Sequence, residues 1–270
     1  MALIRVEHVG KSFAGRHGSI SIMQDISFDV ADSDFLAIVG PSGCGKSTLL
    51  RLIQGLDRPT SGKVFFRDAP VSGPCSKMAM VFQSFALYPW LTVSENVAFG
   101  MEALGWSEER IKPQVERYIS VTGLDGFQEA YPRELSGGMR QRVGLARALA
   151  VEPSVLLMDE PFSSLDPLTA ESLREEILQL WRDPDLPPDA VLLVSHNIEE
   201  AIQLADRIIV MARRPSHVLA DVRVELPRPR DRKSSAFYEL TDQVYSLITE
   251  GGGPPTGVPA NGGSATQKAL

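Results

Sequence analysis

Short apolar runs alternate with helical stripes along most of the chain. Phe35–Val39, Val155–Met158 and Val191–Val194 are compact and uninterrupted by polar residues, as strands buried on both faces are. A helical pattern follows each of them. Thr48–Gln54 carries leucines at 49, 50 and 52; Leu173, Ile177, Leu180 and Trp181 fall at i, i+4, i+7 and i+8; Ile198, Ala201, Ile202 and Ala205 mark a third stripe. Strands alternating with helices predict a mostly parallel sheet covered on both faces. Ile4–Val9 and Ile20–Val30 read as short strands around a Gly/Ser-rich turn (Gly15, Gly18, Ser19). Val218, Ala220, Val222, Val224 and Leu226 alternate with Asp221, Arg223 and Glu225, as in a half-buried strand. Ser84 to Ala150 is helical with Gly and Pro breaks and predicts a separate lobe. Gly251–Leu270 holds six Gly and three Pro and almost nothing to bury, so it reads as a disordered tail.

Composition narrows the class. In 270 residues, 43% hydrophobic, 27 Lys and Arg face 34 Asp and Glu for a net charge of −7. The core is therefore amply supplied, and the acidic balance argues against a nucleic-acid partner and against adhesion to anionic lipid. No apolar run approaches the roughly 18 residues a bilayer span needs. Met1–Arg5 lacks the features of a signal peptide, and two cysteines, Cys44 and Cys75, are too few for a disulfide scaffold. The expectation is a soluble, cytoplasmic chain. The basic cluster Arg223, Arg228, Arg230, Arg232 and Lys233 is interleaved with Asp221, Glu225 and Asp231, which predicts a solvated surface rather than a nucleic-acid platform.

Gly40-Pro41-Ser42-Gly43-Cys44-Gly45-Lys46-Ser47 fits G-x-x-x-x-G-K-[ST] between an apolar strand and the helix that opens at Thr48. Its glycines let successive N–H groups converge on one concavity, and the helix adds its positive end, so a polyphosphate is held there. Lys46 would bridge the β- and γ-phosphates and the Ser47 hydroxyl would bind Mg²⁺. Cys44 is either a small inert filler or a thiol whose pKa the helix N-terminus lowers.

Val155–Glu160 ends a buried strand in two carboxylates. Adjacent strand residues face opposite sides, so one of the two can approach Mg²⁺ while the other orients the attacking water. That second acid favours ATP hydrolysis. His196 ends the next apolar strand, where ligands collect in such sheets, and suits a γ-phosphate contact. Gln83, after Met78–Phe82, offers a neutral amide to metal or water. Leu135-Ser136-Gly137-Gly138-Met139-Arg140-Gln141-Arg142 opens another helix with an anion-binding start, although one nucleotide has no need of two phosphate sites so far apart.

Taken together, the Lys46 loop, Gln83, LSGGMRQR, LLMDE, Ser164-Leu165-Asp166 and His196 resemble the ATP-binding subunits of ABC transporters, over residues 3 to 250. The resemblance implies an α/β fold: a P-loop NTPase (RecA-like) core at about 1–84 and 151–250, with an N-terminal antiparallel β subdomain and a helical ABC signature lobe at about 85–150. It implies ATP and Mg²⁺ as cofactors, with Ser47, Gln83 and Asp159 as the metal set and Phe13 stacking on adenine. Glu160 becomes the general base, His196 the γ-phosphate sensor. Two copies would pack head to tail as a homodimer. Leu135, Ser136, Gly137, Gly138 and Gln141 of one copy would then complete the site of the other, with Asp166 at the seam.

Transport would need separate transmembrane permease subunits and an extracytoplasmic solute-binding protein, with this chain peripheral on the cytoplasmic face of the inner membrane. The aromatic segment Ser84–Val93 is the expected permease dock. YPWLTVSENVAFG, HNIEEA and LPRPRDR resemble the nitrate/sulfonate/taurine importer branch. Soluble ABC ATPases acting on ribosomes or DNA usually carry two cassettes or long coiled-coil insertions, and this chain has neither. A regulatory module without turnover would not need Asp159, Glu160 and His196 intact.

Overall fold

The computed structural model describes residues 2–15, 18–183 and 188–250; the expected tail lies outside them. The chain opens with β1 (Ala2–Gly15) and β2 (Gly18–Ala31), which pair antiparallel. Both run beyond the apolar alternation that announces them, because the ladder continues through Lys11, Ser12 and Phe13 with register shifts rather than ending there. Next come β3 (Phe35–Val39), α1 (Lys46–Gln54), β4 (Ser61–Phe66), β5 (Ala69–Pro70) and β6 (Met78–Val81). Three helices follow: α2 (Val93–Ala103), α3 (Glu108–Val121) and α4 (Gly137–Ala150). The chain then alternates through β7 (Val155–Asp159), α5 (Pro167–Arg182), β8 (Ala190–Ser195), α6 (Ile198–Leu204) and β9 (Arg207–Met211). It closes with β10 (Val218–Arg223) and α7 (Ser235–Glu250), a helix of 16 residues.

Two sheets result, in the orders β2-β1-β4-β5 and β10-β9-β3-β8-β7-β6. The first is antiparallel; in the second, β9, β3, β8, β7 and β6 are mutually parallel and only β10 runs against its neighbour. Leu49, Leu50, Leu52 and Ile53 of α1 are buried between the two sheets, against Ile4 and Val6 on one side and Leu36, Ile38 and Val194 on the other. Phe35, Ala37 and Val39 turn the opposite way, into a second core shared with the helices from α2 onward. Both faces of the central strands are thus covered, which is why their sequences carry no polar alternation.

Parallel strands deliver their carboxyl ends to one edge. In spatial order β3, β8, β7, β6, they bring Gly40, His196, Glu160 and Gln83 there. Four of the helices start from side-chain caps: Thr92 (with Glu95) for α2, Ser136 for α4, Asp166 for α5 and Asn197 for α6. Among the described residues no helix is long and apolar enough to cross a membrane.

Candidate nucleotide site

The loop after β3 is wound around its lysine. Lys46 is buried, and its Nζ donates to the carbonyls of Gly40 at 2.9 Å and Pro41 at 3.3 Å. Gly45, the N-cap of α1, has φ 111° and no side-chain cap, so the first amides of α1 are left to a ligand. Only glycine suits that backbone, and an added Cβ would stand 2.9 Å from Ile22. Amides that turn inward leave carbonyls turned outward, and two side chains from the β9–β10 connection hold them. Arg214 donates to the Gly43 carbonyl at 2.7 Å, and the buried Ser216 hydroxyl donates to the Cys44 carbonyl at 2.7 Å. Nothing in the local pattern around Arg214 or Ser216 announces this role; it exists only because β9 lies beside β3.

Cys44 corrects one of the two sequence readings. Its side chain is buried, and burial pushes the thiol up; Lys46 and nearby backbone hydrogen bonds oppose this by less. Burial and a raised pKa both favour the filler reading over the activated thiol.

On the next strands, the Ser47 hydroxyl donates to Asp159 Oδ1 at 2.7 Å, joining the phosphate loop to β7. Asp159 is nearly buried, and desolvation pushes its carboxyl up against that hydrogen bond. A buried carboxylate and a hydroxyl in contact form a hard oxygen set suited to a divalent cation, which would replace the shared proton. Among the described residues no three His, Cys, Asp or Glu cluster as a self-sufficient metal site. Glu160 lies one residue past β7 with φ 48°, and its amide donates to the Val194 carbonyl at 3.0 Å. Asp159 and Glu160 therefore diverge through a left-handed backbone kink, not through strand alternation. Strain of this kind persists where surrounding structure over-determines it. The Glu160 carboxylate meets His196 Nδ1 at 3.1 Å. The pair lines a cavity of about 480 Å³, whose wall also includes Phe162, Leu168, Arg174 and Asn197. Gln83 is exposed just past β6, and its carbonyl accepts from Ser164 at 3.3 Å, tying that end to the β7–α5 loop.

Phe13 stands on the β1–β2 hairpin with its ring 45% exposed. Lys11 Nζ lies 5.0 Å from the ring and is anchored by Asp57 and the Arg58 carbonyl, each at 2.7 Å. An aromatic face is available there. Ser136 is exposed and accepts from the Met139 amide at 3.2 Å. Gly138 is required by close packing, since a Cβ there would fall 2.3 Å from Thr169 Cγ2. Gln141 and Leu135 are buried, so Ser136 and Gly137 form the accessible part of that motif. Asp166 is exposed and accepts from the Thr169 amide at 3.0 Å, a bond that holds its carboxyl below the usual range.

Beyond Gln83 the chain takes two left-handed residues, Phe85 (φ 63°) and Ala86 (φ 47°). Arg147 of α4 holds both carbonyls, at 3.3 and 2.8 Å, and burial pushes its guanidinium below the usual arginine range. Asn96 of α2 is fully buried and binds the next stretch: it accepts from the Tyr88 amide and donates to the carbonyls of Tyr88, Leu91 and Thr92. Tyr88 packs on Phe99 at 4.3 Å, while Trp90 stands 69% exposed. Beside them a groove of about 320 Å³ is lined by Phe82, Ala86, Tyr88, Phe99, Arg147 and Val151.

The basic cluster is only in part the solvated surface its charge pattern predicts: Arg223 and Lys233 are exposed, whereas Arg228 and Arg230 turn inward. The Arg230 guanidinium is buried and donates to the carbonyls of Ile202 and Ala205, each at 2.6 Å, at the C-terminal end of α6. Burial lowers its pKa to about 10. Arg228 bonds Asp206 and the Leu204 carbonyl, and Arg232 reaches Glu199 at 2.5 Å. The acceptors are mostly backbone carbonyls, which a charge pattern cannot reveal.

The ABC transporter family model matches residues 23–163, a little over half of the chain. An aliphatic sulfonates import ATP-binding protein of Bacillus cereus is 38% identical over 249 residues, 92% of this chain and 97% of that one. A nitrate import ATP-binding protein of Synechocystis is 40% identical over 254 residues, 91% of this chain and 94% of that one. Among solved structures, a dimeric post-hydrolysis ATP-binding cassette bound to ADP and Pi superposes with a TM-score of 0.72 at 29% identity, covering 82% of this chain and 99% of that one. With the strand–loop–helix of Lys46, the paired acids at the end of β7 and similarity of this breadth, the chain belongs to the ABC transporter family, as an ATP-binding subunit that hydrolyses ATP.

Proposed function

We propose that this chain powers an importer of small oxyanionic or zwitterionic solutes, of the nitrate, sulfonate or taurine type. It would act peripherally on the cytoplasmic face of the inner membrane, as a head-to-tail homodimer bound to permease subunits and supplied by an extracytoplasmic binding protein. The observation that carries the catalytic part is the Glu160–His196 contact of 3.1 Å on the strand-end edge that also holds the Lys46 loop. The importer part is supported by the relatives named for sulfonate and nitrate import.

Within that reading, Gly40 to Thr48 wraps the polyphosphate with backbone amides and Lys46, and Phe13 offers its face to adenine. Ser47, Asp159 and Gln83 would hold Mg²⁺, which when bound neutralises phosphate charge. Glu160 accepts the proton of the attacking water, and His196 keeps the carboxylate oriented and contacts the γ-phosphate. Ser136 and Gly137 of one protomer close on the nucleotide of its partner across the Asp166 seam. Movement of the lobe at about 85–150 passes to the permease through the groove at Tyr88, Phe99 and Arg147. Its exposed aromatics suit an apolar helix end.

A tagged chain pulled from native membranes tests this. Recovery of a multi-span permease and an extracytoplasmic binding protein that takes up nitrate, a sulfonate or taurine supports the reading. Recovery of ribosomes or DNA-repair proteins with no membrane protein overturns the transport half and leaves the ATPase.

A further inference from the structure

Glu200 lies outside the reacting groups, yet it is charged and nearly fully buried, with only 6% of its surface exposed. Its surroundings converge on the residues either side of His196. The Ser195 hydroxyl, just before the histidine, donates to Glu200 Oε2. That same hydroxyl accepts from the amide of Asn197, just after the histidine, at 3.0 Å. Asn197 Oδ1 in turn accepts from the Glu200 amide at 3.2 Å, capping α6. The turn that carries His196 is therefore closed on both sides by one glutamate.

The carboxylate is itself held. Arg174 of α5 donates to Glu200 Oε1 at 3.2 Å and to Glu171 at 2.6 Å. Arg232, from the segment between β10 and α7, reaches the same Glu171 oxygen at 3.3 Å. Breaking a buried pair by removing one partner costs far more than the pair contributes, and such networks persist where they fix a geometry. The geometry fixed here ends at the Glu160–His196 contact.

We propose that Glu200 is a positioning residue for hydrolysis: through Ser195 and Asn197 it sets the backbone from which His196 reaches Glu160. The proposal rests on the catalytic reading of His196 and goes beyond it in naming what aims that histidine. A charged group so deep would otherwise be a liability, because a methionine or leucine would fill the same space without desolvation cost.

A double-mutant cycle separates aiming from folding. Single-turnover ATP hydrolysis, with protein in excess, is measured for Glu200→Gln, His196→Ala and the double variant, alongside fluorescent-nucleotide affinity. Glu200→Gln is expected to slow hydrolysis about tenfold with affinity unchanged within about twofold, and to slow the His196→Ala chain less than about twofold. An equal loss in both backgrounds overturns the proposal. If His196→Ala hydrolyses at the wild-type rate, the catalytic reading of His196 falls and this proposal with it, a result distinct from additivity. Should Glu200→Gln fail to fold, Ser195→Ala removes the bridging hydroxyl and carries the same cycle, with the same expected and overturning results.

Discussion

Replacing Asn96 with leucine tests how the segment beyond Gln83 keeps its shape. The side chain is fully buried and makes four hydrogen bonds, three donated to the Tyr88, Leu91 and Thr92 carbonyls and one accepted from the Tyr88 amide. A leucine of nearly the same size fills the space but satisfies none of them. Two amide hydrogens are shared among three carbonyls, so at about 1 kcal/mol net per hydrogen bond the lost bonds amount to about 3 kcal/mol, and carbonyls left unpaired in the interior add to that. The segment is near the surface, so part of its backbone regains water, and about 3 kcal/mol is expected. For a chain of this size that lowers Tm by about 6–12 °C. Differential scanning calorimetry reads the shift, and amide hydrogen exchange reads its cause: the Tyr88 N–H, bonded to Asn96 at 2.9 Å, should lose its protection. Fluorescent-nucleotide affinity should stay within about twofold, since none of these bonds touches the phosphate loop. A Tm within about 2 °C of wild type, or a Tyr88 amide as protected as before, refutes the reasoning.

Four further outcomes follow from the site. Glu160→Gln should bind ATP and accumulate as an ATP-bound dimer in sedimentation, with hydrolysis at least about a hundredfold slower; fast turnover removes Glu160 from its role. Ser136→Arg should abolish hydrolysis while the isolated monomer binds ATP as before, and lost monomer affinity would mean that Ser136 serves its own site. Ser216→Ala strips the Cys44 carbonyl of its partner and should weaken ATP binding about threefold to tenfold by titration. An unchanged Kd removes the brace. Because burial raises the Cys44 pKa, its thiolate fraction at neutral pH is below that of an ordinary thiol and rises only at more alkaline pH. Maleimide mapped by mass spectrometry should therefore modify the partly exposed Cys75 first, and equal labelling at pH 7 would contradict the burial argument.

The sequence foretells what is carried by contiguous residues. The strand before Gly40 and the helix after Lys46 are adjacent to their own signals, so apolar runs and loop spacing suffice to read them. Asp159 and Glu160 are legible as neighbouring acids at a strand end, but the reason for their divergence is not: Glu160 takes φ 48° where its amide bonds Val194 on the neighbouring strand. Arg214, Ser216, Asn96 and Arg230 go unseen for the same reason. Arg214, Ser216 and Arg230 act on backbone groups that the fold brings near, and Asn96 on the loop just before its own helix, and a carbonyl carries no residue-type signal. Arg230 shows the cost of counting charges, since a pattern that looks solvated ends as a buried helix cap.

The side-by-side order of β8, β7 and β6 makes the strand-end edge the common start of three routes. His196, Glu160 and Gln83 stand there as neighbours, yet each begins a different route through the chain. One runs into α6 and the arginines that clamp it, one into the Asp166 cap and α5, one through Phe85 and Ala86 to Asn96 and α2. A change of charge at a single point on that edge therefore falls at the common start of three routes, which the Glu160–His196 contact, the Ser164–Gln83 bond and the Arg174–Glu200 pair tie to one another.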